Sequence, residues 1–306
     1  MNKPAPRSID AYLEQLRQAL HGQDAAVIQD ALYDAEEYLR AEVAGQADRP
    51  EAEVLEAIAS TYGAPEEVAQ AYIDTEIKVQ AALATPKFRE PKSLAGRLFG
   101  VFLDPRAYSS LFYLVFSMAT GIFYFTFAVT GLSLSAGLMI LIIGIPFFLL
   151  FLAMSRVLSL VEGRIIESFL GVRMPRRPTY DTSEGGITER IKLMLKDART
   201  WTTLLYMLLM LPLGIFYFTY AVVGLSVSLS FIVAPVIYLL DYQGLVFVDA
   251  TIGYIPDWFL LGPGWATLFY MVLGFFMLVL VMHGARGLGA MQGRIAKTLL
   301  VESGHE

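Results

Sequence analysis

The chain has 306 residues, of which 56% are hydrophobic and only 17% are charged, and its formal net charge is −6. This content is too apolar for an ordinary soluble domain, and long charge-free windows are typical of helices that lie in lipid. Cysteine is absent, which excludes disulfides, thiol catalysis and cysteine-ligated metal sites. No apolar segment follows the first residues, so we expect no cleaved secretory signal.

The N-terminal 85 residues are polar and acidic, with sixteen acids against six Lys and Arg. Apolar residues recur at the three-and-four interval of amphipathic helices, and Ser8 and Asp24 stand where N-caps are expected. Gly63 followed by Pro65 predicts that one helix stops and the next begins. We therefore predict an acidic cytoplasmic domain of four helices over residues 1–85. The acids predicted to face water or a partner are Asp30, Asp34, Glu36 and Glu37.

Three motifs in this region have a recognisable pattern. They are Tyr12-Leu-x-x-Leu-Arg, Asp34-Ala-Glu-Glu-Tyr-Leu and Tyr62-Gly-Ala-Pro-Glu-Glu-Val-Ala. The region resembles the HAAS-type helical signalling domain of bacterial membrane proteins. The resemblance implies a cytoplasmic, non-catalytic domain that works with a regulator protein, either of the PadR type or a kinase.

A basic stretch, residues 86–106, connects this domain to the apolar part of the chain. The basic residues Lys87, Arg89, Lys92 and Arg97 lie there beside the apolar Leu94, Leu98, Phe99, Val101 and Phe102. Such a pattern suits a helix that lies in the lipid headgroup region. A simple linker into the membrane is the alternative.

The apolar part contains an internal duplication. Residues 121–135, GIFYFTFAVTGLSLS, return 93 positions later as GIFYFTYAVVGLSVS at 214–228. The copies also end alike, with Gly163-Arg-Ile and Gly293-Arg-Ile, but here the offset is 130. The difference places 37 extra residues between the two crossings of the second copy.

Four crossings are expected, because each copy holds enough apolar residues for two spanning helices. We predict them at 108–130, 137–159, 200–222 and 265–283, with a turn at 131–135. All 23 Lys and Arg fall in 1–106, 156–199 or 286–306, which indicates a bacterial inner-membrane protein with both termini cytoplasmic. The predicted fold is an all-α membrane protein with two parallel-repeat hairpins. Its segments are 107–159 (first hairpin), 160–199 (cytoplasmic loop), 200–285 (second hairpin), 225–264 (extracytoplasmic insert) and 286–306 (basic tail).

The insert 225–264 holds acids and aromatic residues on the predicted outer side. Residues 228–240 are apolar enough to re-enter the membrane, and 244–251 has the alternation of a short strand. An external ligand or cation could be recognised here; a cap that packs on the headgroups is the alternative. The candidate sensing residues of the insert are Asp241, Asp249, Asp257 and Trp258.

A polar face is predicted on the first crossing. Its hydroxyl side chains, spaced by four, three and four, are Tyr113, Ser117, Thr120 and Tyr124. This face should point at protein, because unsatisfied hydroxyls in hydrocarbon are costly. Thr120 and Tyr124 are candidates for contact with a lipid or ligand in a hydrated cleft, with packing between helices as the alternative.

The duplicated region resembles the bacterial "Putative sensor" membrane domain through its Asp-x-Arg-x-aromatic entry at 104–108 and 197–201, its Gly-Ile-Phe and its closing Gly-Arg-Ile. That family is often joined to a histidine kinase. Here the chain ends at residue 306, so the resemblance implies output through partners.

The residue inventory favours a function without catalysis. The sequence contains no catalytic Ser-His-Asp set, metal-ligand spacing or phosphate-binding glycine loop, so we expect no enzyme activity, no cofactor and no direct nucleic-acid binding. We predict a multi-pass sensor that contacts the lipid bilayer and a cytoplasmic regulator, with homo-oligomers possible in principle. The alternatives are a transporter-associated or lipid-handling protein and a structural scaffold.

Overall fold

The computed structural model describes residues 6–46, 48–83, 94–141, 143–177, 195–243 and 264–301. Throughout these residues the regular structure is helical, without strands. The all-α prediction is therefore confirmed. The chain divides into two compact units, one formed by residues 1–87, 128–206 and 293–306 and the other by residues 88–127 and 207–292.

Four helices form the N-terminal region, α1 (Ile9–Ala19), α2 (Ala25–Gly45), α3 (Glu51–Thr61) and α4 (Pro65–Leu83). The first, second and fourth begin where the sequence predicted. The Ser8 side chain accepts from the N–H of Ala11, and Asp24 accepts from Ala26, which satisfies helix N–H groups that have no partner within the helix. The core residues that these helices share are Ile9, Tyr12, Leu16, Leu20, Ala31, Ala35, Leu39, Val54, Leu55, Ile58, Val68 and Ala69.

The turn between α3 and α4 depends on Gly63, whose φ of +112° lies in the region that favours glycine. The Tyr12 hydroxyl of α1 donates to the Gly63 carbonyl over 2.8 Å. This bond fixes the turn against the buried face of α1. Pro65 then opens α4, where a missing N–H has no cost.

The apolar part contains a short helix α5 (Leu94–Phe99), a 3-10 turn (Gly100–Leu103) and four long helices. The long helices are α6 (Pro105–Leu138), α7 (Gly144–Leu170), α8 (Ala198–Tyr242) and α9 (Gly264–Leu300). Among the described residues, these four are long and apolar enough to cross a membrane. Large apolar side chains such as Phe123, Phe216 and Phe276 are about half exposed, as expected for surfaces that contact lipid.

One local prediction was wrong. The predicted turn at 131–135 lies inside α6, and the chain reverses only around Ile143, between the 3-10 turn Met139–Leu141 and α7. Residues 228–240, which are apolar enough to re-enter the membrane, are part of α8, which continues without interruption to Tyr242. The predicted strand at 244–251 lies outside the described residues.

Candidate functional site

The Asp30 carboxylate on α2 is the centre of a polar contact between distant parts of the first unit. One oxygen accepts from the backbone N–H groups of Arg176 and Arg177, over 2.7 and 2.8 Å. The other accepts from the Arg173 guanidinium over 2.9 Å. Asp30 is only 7% exposed, and the three donors satisfy a carboxylate that would otherwise be costly to bury.

Neighbouring side chains extend this contact. Glu76 of α4 pairs with Arg173 over 2.9 Å, and Asp34 pairs with Arg177 over 3.0 Å. Gln29 donates to the Arg177 carbonyl over 2.7 Å. We call Gln29, Asp30, Asp34 and Glu76 the acceptor face, and residues 173–177 the arginine segment.

The arginine segment follows directly after α7, a candidate membrane helix that ends at Leu170. Gly171 ends α7 in the left-handed conformation, with φ of +68°, and this turn directs the chain out of the helix. Further contacts join the N-terminal helices to the other candidate membrane helices of the unit. Arg199, in the first turn of α8, donates to Gln29 over 3.0 Å, and Lys297 near the end of α9 pairs with Asp24.

Burial dominates the electrostatics of Asp30. Desolvation raises the pKa of its carboxyl group, although the N–H groups of Arg176 and Arg177 and the charge of Arg173 act in the opposite direction. The pKa of Arg173 is raised as well: burial lowers it, but hydrogen bonding to Glu76 and the charges of Asp30 and Glu167 outweigh that effect. The contact is therefore an ion-pair network that pays a desolvation cost.

A buried amide occupies the second unit. Gln292 of α9 is fully buried, and its side chain accepts from the Tyr217 hydroxyl over 3.0 Å and donates to Tyr113 over 3.4 Å. Its amide nitrogen also lies 3.3 Å from the Met210 sulfur. One side chain thus connects α6, α8 and α9.

The first unit holds a carboxylate at the matching position of the sequence. Glu162 of α7 aligns with Gln292 at the offset of 130, and Tyr206 aligns with Tyr113 at the offset of 93. Glu162 is 1% exposed and accepts from the Tyr206 hydroxyl over 2.9 Å. The same kind of contact therefore occurs at matching positions, with a carboxylate in one unit and an amide in the other.

Two glycines permit a close approach of α6 and α8 in the second unit. A Cβ at Gly121 would overlap the Met210 carbonyl, and one at Gly214 would lie 2.5 Å from the Ser117 carbonyl oxygen. The glycine pair lets the two backbones touch, as small residues do in membrane bundles.

The predicted site residues fall into two groups. Thr120 and Tyr124 are buried, at 8% and 3% exposure, so their face is directed at protein. The Thr120 hydroxyl donates to the Ser117 carbonyl of its own helix over 3.2 Å. Asp241 lies in the last turn of α8, and the placement of its side chain is outside the described structure. Asp249, Asp257 and Trp258 also lie outside the described residues.

Sequence reasoning placed Asp30 toward water or a partner but did not identify the arginine segment as that partner. It also missed Glu162 and Gln292, although aligning the copies at the offset of 130 would have paired them. In the described ranges, no group of His, Asp and Glu side chains has the arrangement of a metal site.

A family model described as "Putative sensor" matches residues 113–300. The match spans α7 and α8 completely and includes most of α6 and all of α9. Comparisons with curated proteins and with solved structures found no match.

Proposed function

Since the chain belongs to the family described as "Putative sensor", we propose that it is a multi-pass membrane sensor without enzymatic activity. In this proposal it relays an envelope or membrane signal to a cytoplasmic regulator, of the PadR type or a kinase. The N-terminal helical domain, with its HAAS-like motifs, is the output part. The helices α6 to α9 are the input part.

The contact between the acceptor face and the arginine segment carries this proposal. The arginine segment begins three residues after α7 ends, so a shift or rotation of this membrane helix would move the residues that Asp30 binds. Helix shifts of this kind are a common means of transmission. The connecting stretch 86–106 falls partly outside the described residues, whereas the contacts of Asp30 are all described.

The positions of the basic residues support a bacterial inner-membrane location with both termini cytoplasmic. The acceptor face and the arginine segment would then meet in the cytoplasm, where a regulator can reach them. The repeated motifs and the matching contacts of Tyr113 and Tyr206 support an origin of the membrane part by duplication.

A deletion experiment tests the output role. Removal of residues 1–85 should leave the protein in the membrane fraction but abolish recovery of the regulator by quantitative affinity purification after cross-linking in cells. The matched control keeps residues 1–85 and deletes only 302–306. Unchanged recovery from the protein that lacks residues 1–85 would remove the output role.

The transporter or lipid-handling alternative has weaker support. The polar stripe of α6 is buried, and the hydroxyls of Ser117 and Thr120 donate to carbonyls of their own helix. These hydroxyls are satisfied without a solute. A lipid that co-purifies with the protein and is lost on Thr120→Val or Tyr124→Phe would favour the alternative.

A further inference from the structure

We propose that the acceptor face is the surface through which the N-terminal domain binds its regulator, and that the regulator presents an arginine segment of the type Arg-x-x-Arg-Arg. The chain's own arginine segment covers this face in the structure described above. We call this arrangement the closed state, and the arrangement in which the segment has left the face the open state. This inference rests on the proposed sensor function and adds the binding surface and the chemistry of the partner.

The contacts that the arginine segment makes show which chemical groups the acceptor face binds. Asp30 takes two successive backbone N–H groups and one guanidinium. Such an arrangement requires a bent pair of residues, whose successive N–H groups point to the same side, with an arginine a few positions before it. Arg173 spans Asp30 and Glu76 with its fork of donors, a geometry that the ammonium group of lysine cannot reproduce.

Arg177 adds a second point of recognition. Its guanidinium pairs with Asp34 and lies 5.7 Å from the centre of the Tyr33 ring. A cation over an aromatic face is attracted by the ring quadrupole. The first arginine of the segment is therefore recognised by two acids, Asp30 and Glu76, and the last by one acid next to an aromatic ring.

The overall charge of the N-terminal domain suits the same kind of partner. Residues 1–85 carry sixteen acids against six Lys and Arg, so the domain attracts a basic surface over a longer range than the contact itself. The arginine segment supplies such charge within the chain. A regulator would supply it from outside.

The contact is also suited to exchange. It consists mainly of ion pairs and hydrogen bonds, and the side chains of Arg177 and Asp34 are 52% and 32% exposed. Ion pairs of this kind gain little over their solvated state. The equilibrium between the bound and the released arginine segment can therefore be shifted by movement of α7 or by a competing arginine segment.

The test uses the full chain in lipid nanodiscs and a fluorescent peptide with the sequence of residues 171–178, GVRMPRRP. In the wild type the chain's own segment competes, so the peptide binds only the open fraction. If that fraction is about one in ten, Arg173→Ala combined with Arg177→Ala strengthens binding about tenfold. Adding Asp30→Asn to this double variant should abolish the gain. The control peptide GVQMPQQP should not bind, and GVKMPKKP should bind more weakly than the arginine peptide.

A distance measurement tests the closed state independently of the peptide. The chain has no cysteine, so spin labels at Glu14→Cys and Thr298→Cys report one distance without a background. We expect a narrow distribution in the wild type and a broader one in Asp30→Asn and in the double arginine variant. A distribution that stays narrow in both would overturn the closed state.

Equal affinity of the peptide for wild type and double arginine variant, or binding that survives Asp30→Asn, would overturn the inference. The deletion of residues 1–85 distinguishes this failure from failure of the sensor function. If the deletion still abolishes recovery of the regulator, the output role stands and the acceptor face is the wrong surface.

Discussion

Arg156 on α7 donates to the Asp197 carboxylate over 2.8 Å, and Asp197 also accepts from the N–H of Arg199 in the first turn of α8. In the other unit, Arg286 on α9 donates to Asp104 over 3.1 Å, and Asp104 accepts from the N–H of Arg106. In each case an aspartate at the start of one long helix is held by an arginine from another.

These two pairs differ in which partner is buried, which predicts different contributions to stability. The side chains of Arg156 and Asp197 are 24% and 35% exposed, whereas those of Arg286 and Asp104 are 53% and 11% exposed. We expect Arg156→Ala to lower the free energy of unfolding by about 1 kcal/mol, and Arg286→Ala to lower it by at least as much, because it removes the guanidinium from the more buried Asp104 carboxylate. Reversible unfolding by SDS in mixed micelles measures both.

The charge-swapped variant Arg156→Asp with Asp197→Arg is the control for Arg156. It should recover only part of the loss, because the pair is restored with opposite polarity while the cap that Asp197 gives to α8 is removed. A double variant less stable than Arg156→Ala would mean that Asp197 acts mainly as the cap of α8 and that its pairing with Arg156 contributes little.

At the close approach of α6 and α8, the addition of a single methyl group is expected to lower the free energy of unfolding by more than Arg156→Ala does. Gly121→Ala places a methyl group against the Met210 carbonyl, so the two helices must separate. We expect a loss of about 1–3 kcal/mol, as for overpacking of a core, in the same SDS titration.

Gly287→Ala on α9 is the matched control, because a Cβ there meets nothing within 4 Å. It should be neutral or gain up to about 1 kcal/mol from helix propensity. Equal losses for both substitutions would show that the glycines matter for the helix backbone and not for the close approach.

Because Gln292 occupies the position that matches Glu162, we expect Glu162→Gln to be tolerated. Glu162→Gln keeps an oxygen that can accept from Tyr206, as Gln292 accepts from Tyr217. We expect it to change the free energy of unfolding by less than about 1 kcal/mol. Glu162→Leu leaves the Tyr206 hydroxyl buried without that acceptor and should cost about 1–3 kcal/mol. Similar losses for the two variants would mean that the negative charge itself is required.

The raised pKa of Asp30 predicts an unusual dependence on pH. Burial is the main cause of the shift, so the folded protein holds the proton more tightly than the unfolded chain. The contribution of Asp30 to stability is therefore fully present below its ordinary pKa of 3.8 and is lost as the pH rises through the folded value. The difference in free energy of unfolding between wild type and Asp30→Asn should fall as the pH increases above 3.8.

Unfolding titrations at a series of pH values give this difference directly. The groups that face Asp30, the Arg173 guanidinium and the N–H groups of Arg176 and Arg177, do not titrate in this range. A difference that grows with pH would mean that these donors outweigh the burial.

The N-terminal helices could be predicted from sequence because their signals are local. Ser8, Asp24, Gly63 and Pro65 act on residues a few positions away. The burial of Asp30 could not be predicted in this way. Its partners lie more than 140 positions further along the chain, and nothing in α2 itself specifies them.

The turn predicted at 131–135 is helical in the structure for a different physical reason. Glycine and serine favour turns in water, but in α6 the Ser135 hydroxyl donates to the Gly131 carbonyl over 2.6 Å. Ser228 does the same with Gly224 in α8. Where lipid offers no competing partner, a serine satisfies itself on its own helix, and the sequence that would end a helix in water continues it.

The topology of the chain can be tested with single introduced cysteines, because the natural sequence contains none. Ser183→Cys, in the basic loop after the arginine segment, should react with a membrane-impermeant maleimide only after the cells are opened. Thr251→Cys, in the segment between α8 and α9 that carries no Lys or Arg, should react in intact cells. The reason is that translocated loops are poor in basic residues. Labelling of residue 183 in intact cells would place the arginine segment outside, where a cytoplasmic regulator could not replace it on the acceptor face.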